Sequence, residues 1–251
     1  MDFEFTDHTA LVTGASQGIG RAIAKGLAAQ GVKVAMAARR TEILEEVAAE
    51  IRKTGGAEPM IIEADLYPEG ASETLAKKAL AALGRVDILM NSAGGSRPLQ
   101  VEATKEQWME ALTLNFLRIR ELTHALLPGM RERRWGRIVN LTGTSEPRVL
   151  NAAFSAKAAV HIWAKGLSRE IAKDGITIHC IQPGRIRSEQ IGKRYPTVEA
   201  ELEFARDEIP MGRFGEPEEL ANLALFLASP LASYMTGCVI PVDGGMYRFA
   251  F

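Results

Sequence analysis

The segment Thr13-Gly14-Ala15-Ser16-Gln17-Gly18-Ile19-Gly20-Arg21 carries the first recognisable chemistry in this chain. Its glycines allow a tight turn, close approach of backbone to an anion, and close packing of a following helix. The N-terminus of that helix presents free N–H groups and a positive dipole end, worth about 0.3–2 kcal/mol toward an anion. Ordinary turns also collect glycine, but this one follows a β-branched run and opens a helical one. That context predicts a cradle for the diphosphate of a nicotinamide dinucleotide, with Gly14, Ser16, Gln17, Gly18, Ile19 and Gly20 as its binding residues. A second signal ends the next apolar run, at Met36-Ala37-Ala38-Arg39-Arg40. An acid at that place would accept from the adenine ribose 2′-hydroxyl and repel a 2′-phosphate. Arg39, with Arg40 beside it, can instead pair with that phosphate and stack on adenine. NADP(H) is therefore the preferred cofactor and NAD(H) the second. If both arginines only begin a solvated helix, either form would bind.

The elements that must position these residues follow from periodicity. Short β-branched runs at 9–13, 32–37, 59–64, 86–90, 136–141, 176–181 and 239–242 alternate with helical patterns at 20–30, 41–53, 69–83, 106–133, 152–173 and 217–228. Strand and helix in strict alternation imply a parallel sheet covered on both faces, joined by right-handed crossovers. The expected fold class is α/β: a single-domain, doubly wound, Rossmann-like sheet spanning residues 1–251. One stretch, 185–213, breaks the rhythm. It is charged and mixed, and in such a fold it lies where a substrate lid would sit.

Composition narrows the partners. The formal net charge of −1 gives no positive surplus for nucleic acid or an anionic membrane. No apolar run reaches the length of about 20 residues that a spanning helix needs. The N-terminus, Met1-Asp2-Phe3-Glu4, lacks the basic-then-apolar pattern of a signal peptide. The two cysteines, Cys180 and Cys238, stand apart in apolar company and read as core residues, with no metal site. A soluble, cytoplasmic protein acting on a small molecule is expected, without nucleic-acid or membrane partners.

The TGxxxGxG spacing resembles that of the short-chain dehydrogenase/reductase family, and the resemblance runs through nearly the whole chain. Asp65-Leu66 follows the third strand and Asn91-Ser92-Ala93-Gly94 the fourth; then come Asn115, Lys157, Gln182-Pro183-Gly184 and the tail Thr236-Gly237-Cys238-Val239-Ile240-Pro241-Val242-Asp243-Gly244-Gly245. The resemblance implies that Asp65 caps the adenine amino group, with a backbone contact from Leu66. It implies that Asn91, Ala93 and Gly94 line the cofactor and brace the sheet, although Asn91 and Gly94 could serve the sheet alone. Lys157 would bond the nicotinamide ribose, and Pro183, Gly184, Ile186 and Ser188 would meet the nicotinamide end.

The family's reaction is hydride transfer between nicotinamide and a carbonyl or alcohol carbon. Its proton is handled by a tyrosine four residues before the lysine, on one helix face. Here that position is Ala153, and Phe154 beside it has the ring without the hydroxyl. The family's serine position is Gly143, and the stretch from there to Lys157 is shorter than usual. Thr142, Thr144 or Ser145 could supply a hydroxyl, while Asn115 and Lys157 remain. Three substitutes for the proton route are open: Lys157 acting through water, Tyr195 swinging in from the 185–213 stretch, or a substrate needing no strong acid. For Tyr195, an ordinary packing role is the plainer alternative.

Arg185, Arg187, Lys193, Arg194, Arg97 and Arg148 gather positive charge near the expected mouth. They suggest an anionic substrate, or else surface arginines paired with Glu189, Glu199 and Glu201. The leading functional expectation is an NADP(H)-linked carbonyl reductase or alcohol dehydrogenase, 3-oxoacyl-thioester reductase-like, with an unusual proton route. The other is a nucleotide-binding regulatory or structural protein that lost the chemistry. Broad apolar faces at 116–127 and 160–171, together with the aromatic tail Tyr247-Arg248-Phe249-Ala250-Phe251, favour a homo-oligomer; the resemblance implies dimers or tetramers.

Overall fold

A computed structural model describes residues 3–144 and 146–249; Ser145, one of the three hydroxyl candidates, lies outside the described residues, as do Ala250 and Phe251 of the tail. The first half of the chain runs β1 (Thr9–Thr13), α1 (Gly18–Ala29), β2 (Lys33–Ala38), α2 (Thr41–Lys53), β3 (Met60–Glu63), α3 (Ala71–Leu83) and β4 (Ile88–Asn91). The second runs α4 (Lys105–Leu112), α5 (Arg118–Glu132), β5 (Gly136–Leu141), α6 (Ala152–Ile171), β6 (Ile176–Pro183), α7 (Glu189–Arg194), α8 (Val198–Glu208), α9 (Pro217–Ala228) and β7 (Val239–Val242). The seven strands form one sheet in the order β3-β2-β1-β4-β5-β6-β7, every pair parallel.

Alternation along the strands feeds two cores. Ala10 and Val12 of β1 join α1, α2 and α9 on one face, while Leu11 joins α3, α5 and α6 on the other. A sheet buried on both faces needs apolar residues at successive positions, as the fully buried β1 shows. The strand order reverses between β1 and β4, so the crevice beyond their carboxyl ends is where a ligand would lie. Among the described residues, no helix is long and apolar enough to cross a membrane.

Two departures from the sequence expectation matter for the site. The helix expected over 106–133 is broken by a π-turn at Thr113–Leu117, with α4 before it and α5 after. The apolar pattern runs through this break, so periodicity did not reveal it. The 185–213 stretch is also more than a loop, since it folds into α7 and α8 over a small apolar cluster of Ala205, Ile209 and Phe214. Tyr195 belongs to that cluster, its ring centred 5.1 Å from Phe204 and 5.2 Å from Phe214. This packing supports the plain reading of Tyr195 over the proton-route reading.

Candidate active site

The glycine turn sits where β1 ends. Gly14 (φ +67°) and Gly18 (φ +51°) occupy the left-handed region that side chains disfavour. A Cβ on Gly14 would lie 3.0 Å from the Ala93 backbone, and one on Gly20 would overlap the Gly14 carbonyl oxygen. The residue preceding α1, Gln17, is extended and places no side-chain acceptor on the first-turn N–H groups. Thr104, Asn151, Ser188 and Thr197 do cap α4, α6, α7 and α8 in that way. An uncapped helix start behind a turn whose Gly14 and Gly20 leave no room for Cβ atoms fits a diphosphate. Ser16 is buried in this turn, and Ile19 packs against the core beneath it.

Around the rim, Arg39 and Arg40 are exposed where β2 ends. Arg40 donates to Gln17 Oε1 (2.9 Å) and lies 3.5 Å from Glu189. Ser188 also reaches the turn, since a Cβ on Gly18 would stand 3.4 Å from its Cβ. The start of α7 therefore lies against the cradle. Asp65 is exposed and accepts from the Tyr67 N–H (3.0 Å), while the Leu66 carbonyl accepts from Arg118 Nε (2.8 Å).

The turn after β4 is pinned by Thr13, whose hydroxyl accepts from the N–H groups of Ser92 (3.0 Å) and Ala93 (3.1 Å). Asn91 donates to Asn140 Oδ1 (2.9 Å) and Thr123 Oγ1 (3.3 Å). Its amide thus braces the sheet interior, the structural alternative left open for it. Gly94 has no room for a Cβ, which would meet Asn115 Oδ1 at 2.8 Å.

Asn115 is fully buried at the centre of the π-turn. A π-turn shifts the backbone pairing by one residue, and the Asn115 side chain donates to the Ala111 carbonyl (3.0 Å). Its Oδ1 accepts from the Gly95 N–H (3.1 Å), which fixes the strand of chain leaving Gly94. Lys157 comes to the same place from α6. A Cβ on Gly94 would lie 3.7 Å from Lys157 Cε, and one on Gly143 3.4 Å from Lys157 Cδ and 3.6 Å from the Phe154 ring. Gly94, Asn115, Gly143, Phe154 and Lys157 therefore share one locus. The Lys157 ammonium donates to the Thr142 carbonyl (3.3 Å), and burial pushes its pKa down to about 8.

The hydroxyl candidates fare differently. Thr142 is buried, donates to the Ile181 carbonyl (3.0 Å), and pairs with His161 Nε2 (2.8 Å). Its hydrogen goes to the carbonyl of β6, which disfavours Thr142 as a proton donor to substrate. Thr144 accepts from the Glu146 N–H (3.0 Å) and remains on the wall of a cleft with Pro183 and Gly184. Gly184 is confined there, since a Cβ would meet Asp243 Cα at 2.6 Å. Ile186 is buried in the core and bridges to Gly215. His161, unremarked in the sequence reading, has its pKa lowered first by burial and then by the Lys157 charge.

Asn151 is a positioning residue that the sequence reading passed over, although an asparagine before a helical run is a cap signal. Its Oδ1 accepts from Ala153 N (3.0 Å) and Arg97 N (3.0 Å), and its Nδ2 donates to Ser96 Oγ (2.7 Å). One amide thus starts α6 and ties it to the loop beyond Gly94. Ala153, on the first turn of α6, is buried.

The cationic cluster is mostly paired. Arg97 meets Glu110 (2.9 Å), Lys193 meets Glu189 (3.0 Å), Arg148 meets Glu208, and Arg187 meets both Glu201 and Glu216. Arg185 lies over the Phe204 ring and Arg194 over Tyr195. This supports the surface-pairing alternative over an anion site, through Glu189 and Glu201 of the expected glutamates together with Glu110, Glu208 and Glu216.

Comparison with known proteins agrees with this geometry. A family model described as enoyl-(acyl carrier protein) reductase matches residues 14–247. A nodulation protein G of Rhizobium sp. (strain N33) is 39% identical, with 97% of this chain and 98% of that protein covered. The 3-oxoacyl-[acyl-carrier-protein] reductase FabG of Aquifex aeolicus (strain VF5) is 34% identical over 98% of this chain and 100% of its own. A solved 3-oxoacyl (acyl-carrier-protein) reductase from Agrobacterium tumefaciens C58, with NADP bound, superposes with a TM-score of 0.92 at 32% identity, covering 97% of this chain and 95% of that one.

Proposed function

As the chain belongs to the short-chain dehydrogenase/reductase family of NAD(P)-dependent oxidoreductases, we propose that it interconverts a carbonyl and a hydroxyl with NADP(H) preferred, and that Lys157 handles the proton. The observation that carries this reading is the convergence of Lys157, Asn115, Gly94, Gly143 and Phe154 beyond the carboxyl ends of β4 and β5. When bound, the nicotinamide supplies or accepts the hydride. Gly14, Ser16, Gln17, Gly18, Ile19 and Gly20 would hold the diphosphate, and Arg39 with Arg40 would face the adenine ribose. Asp65 and Leu66 would stand beside the adenine. Ala93 and Gly94 would line the cofactor, while Pro183, Gly184, Ile186 and Ser188 would meet its nicotinamide end.

Lys157 suits the proton role for two reasons. Its ammonium is bonded to a carbonyl dipole, and its lowered pKa brings proton release near neutral pH, where a general acid works best. Asn115 holds the Gly95 backbone, and Asn151 holds the start of the helix that carries Lys157. The scaffold is that of a 3-oxoacyl-thioester reductase. The protein would act as a homo-oligomer, with the 185–213 segment serving as the substrate lid. The test is turnover of NADPH against ketones and 3-oxoacyl thioesters. Reduction of at least one supports an enzyme. NADPH binding without turnover of any would favour the regulatory reading, which Ala153 and Gly143 support.

Two variants probe finer points. Arg39→Asp should lower kcat/KM for NADPH by about tenfold or more while raising that for NADH, since one charge-assisted bond is worth about 1.5–3 kcal/mol. Equal change with both coenzymes would count against a phosphate contact. Phe154→Tyr should raise turnover about tenfold or more, because the ring lies beside Gly143 and Lys157 and a general acid contributes about 10²–10⁴ in rate. Ala153→Tyr is the poorer control, since overfilling a buried site costs about 1–3 kcal/mol.

A further inference from the structure

The loop that follows β3 is held from the inside by one side chain. Arg118 opens α5, directly after the π-turn, and is buried there. Its guanidinium donates to two successive backbone carbonyls, Leu66 from Nε (2.8 Å) and Tyr67 from Nη2 (3.0 Å). The remaining arm, Nη1, meets Glu121 one turn along the helix at 2.7 Å. A planar fork with fixed N–H directions serves two carbonyls and a carboxylate together, which a flexible ammonium does not. The Arg118 carbonyl is engaged as well, accepting from the buried Ser72 hydroxyl of α3 (3.2 Å). On its other side the loop is tied to β2, where the Ala64 N–H donates to the Ala38 carbonyl (3.0 Å). Ala38 ends β2 and adjoins Arg39, so this loop borders the crevice beyond the carboxyl ends of the strands.

We propose that Arg118 is a positioning residue for the coenzyme, shaping the Asp65–Tyr67 loop to receive the adenine half. The proposal rests on the coenzyme reading above, in which Asp65 and Leu66 stand beside the adenine. Leu66 packs partly against the core, but Asp65 and Tyr67 are exposed, so side-chain packing does little to fix this loop. Its shape is carried by hydrogen bonds: the Asp65 carboxylate on the Tyr67 N–H (3.0 Å) from outside, and the two guanidinium bonds from within. Without Arg118 the Leu66 and Tyr67 carbonyls lose their partner, and the loop gains conformations that a bound adenine would have to remove. The placement of the clamp also links the two halves of the crevice. Asn115, three residues earlier, holds the Gly95 N–H beyond β4. One short stretch of chain thus grips the backbone on both sides of the point where the strand order reverses.

The test titrates the full chain by calorimetry with NADPH and with adenosine 2′,5′-bisphosphate, which carries the adenine half alone. Arg118→Met should weaken both by about fivefold to thirtyfold, the cost of re-ordering one loop residue on binding. Equal factors for the two probes assign the effect to the adenine half. At saturating NADPH, kcat should be little changed, so that the loss appears in KM; general damage to the fold would lower both. Should the methionine variant not fold, Arg118→Lys takes its place, keeping the charge without the fork and losing less affinity for the same two probes. Unchanged affinity in the folded variant, or a loss seen with NADPH and absent with the bisphosphate, overturns the role of Arg118 while the coenzyme reading stands. A wild type that binds neither probe sinks both.

Discussion

Lys157→Met should lower kcat by about 10²–10⁴-fold, equivalent to about 3–5.5 kcal/mol of barrier. Methionine keeps much of the apolar stem beside Gly94 and Gly143 but removes the ammonium that meets the Thr142 carbonyl. In the reduction direction the ammonium is the proton-bearing form. Its pKa is lowered to about 8, so the rate should fall as pH rises through that value and level off below it. In the oxidation direction the neutral amine is the acceptor, and the rate should rise over the same range. Steady-state rates in both directions between pH 6 and 10, values chosen to bracket the shift, check the sign. A variant that keeps its turnover, or a wild-type profile flat across this range, would remove Lys157 from the proton route.

The second large effect concerns the cradle. Gly20→Ala places a Cβ on the Gly14 carbonyl oxygen, an overlap of backbone with backbone that no side-chain rotation relieves. The turn must open, taking the first N–H groups of α1 out of register with an anion. Overpacking of this kind costs about 1–3 kcal/mol, a fall in Tm of roughly 2–12 °C for a chain of this size. Calorimetric titration should show NADPH affinity lowered by about a hundredfold, the equivalent of roughly 2.8 kcal/mol. As a control, Gly166→Ala sits inside α6 with open space around its Cβ; it should leave coenzyme affinity unchanged and raise stability by about 0.5–1 kcal/mol. Unaltered coenzyme affinity in a folded Gly20→Ala protein would mean that the turn is not the diphosphate site.

The fold was legible because its signals are local. A strand buried on both faces reads as an apolar run, and β1, β5 and β7 fall at the bounds of the runs at 9–13, 136–141 and 239–242. The helix across Asn115 was misread as continuous because the apolar stripe does not lapse at the π-turn; only a buried asparagine between Leu114 and Phe116 hinted at it. The helices α7 and α8 were hidden by their charge, which looks like a solvated loop until Phe204 and Phe214 are brought together. In the site, Lys157 and Asn115 were legible from type and order. The partner chosen by each arginine was not. Arg187 lies far along the chain from Glu216, and only the folded chain brings them together. The same holds for His161, whose meeting with Thr142 depends on how α6 crosses β5.

The seating of α7 ties two distant parts of the chain together. Ser188 rests against Gly18, and Arg40 spans from Gln17 toward Glu189, so the start of α7 lies against the glycine turn. Both partners of the Arg40–Glu189 pair are exposed, so this tie should weaken as ionic strength rises.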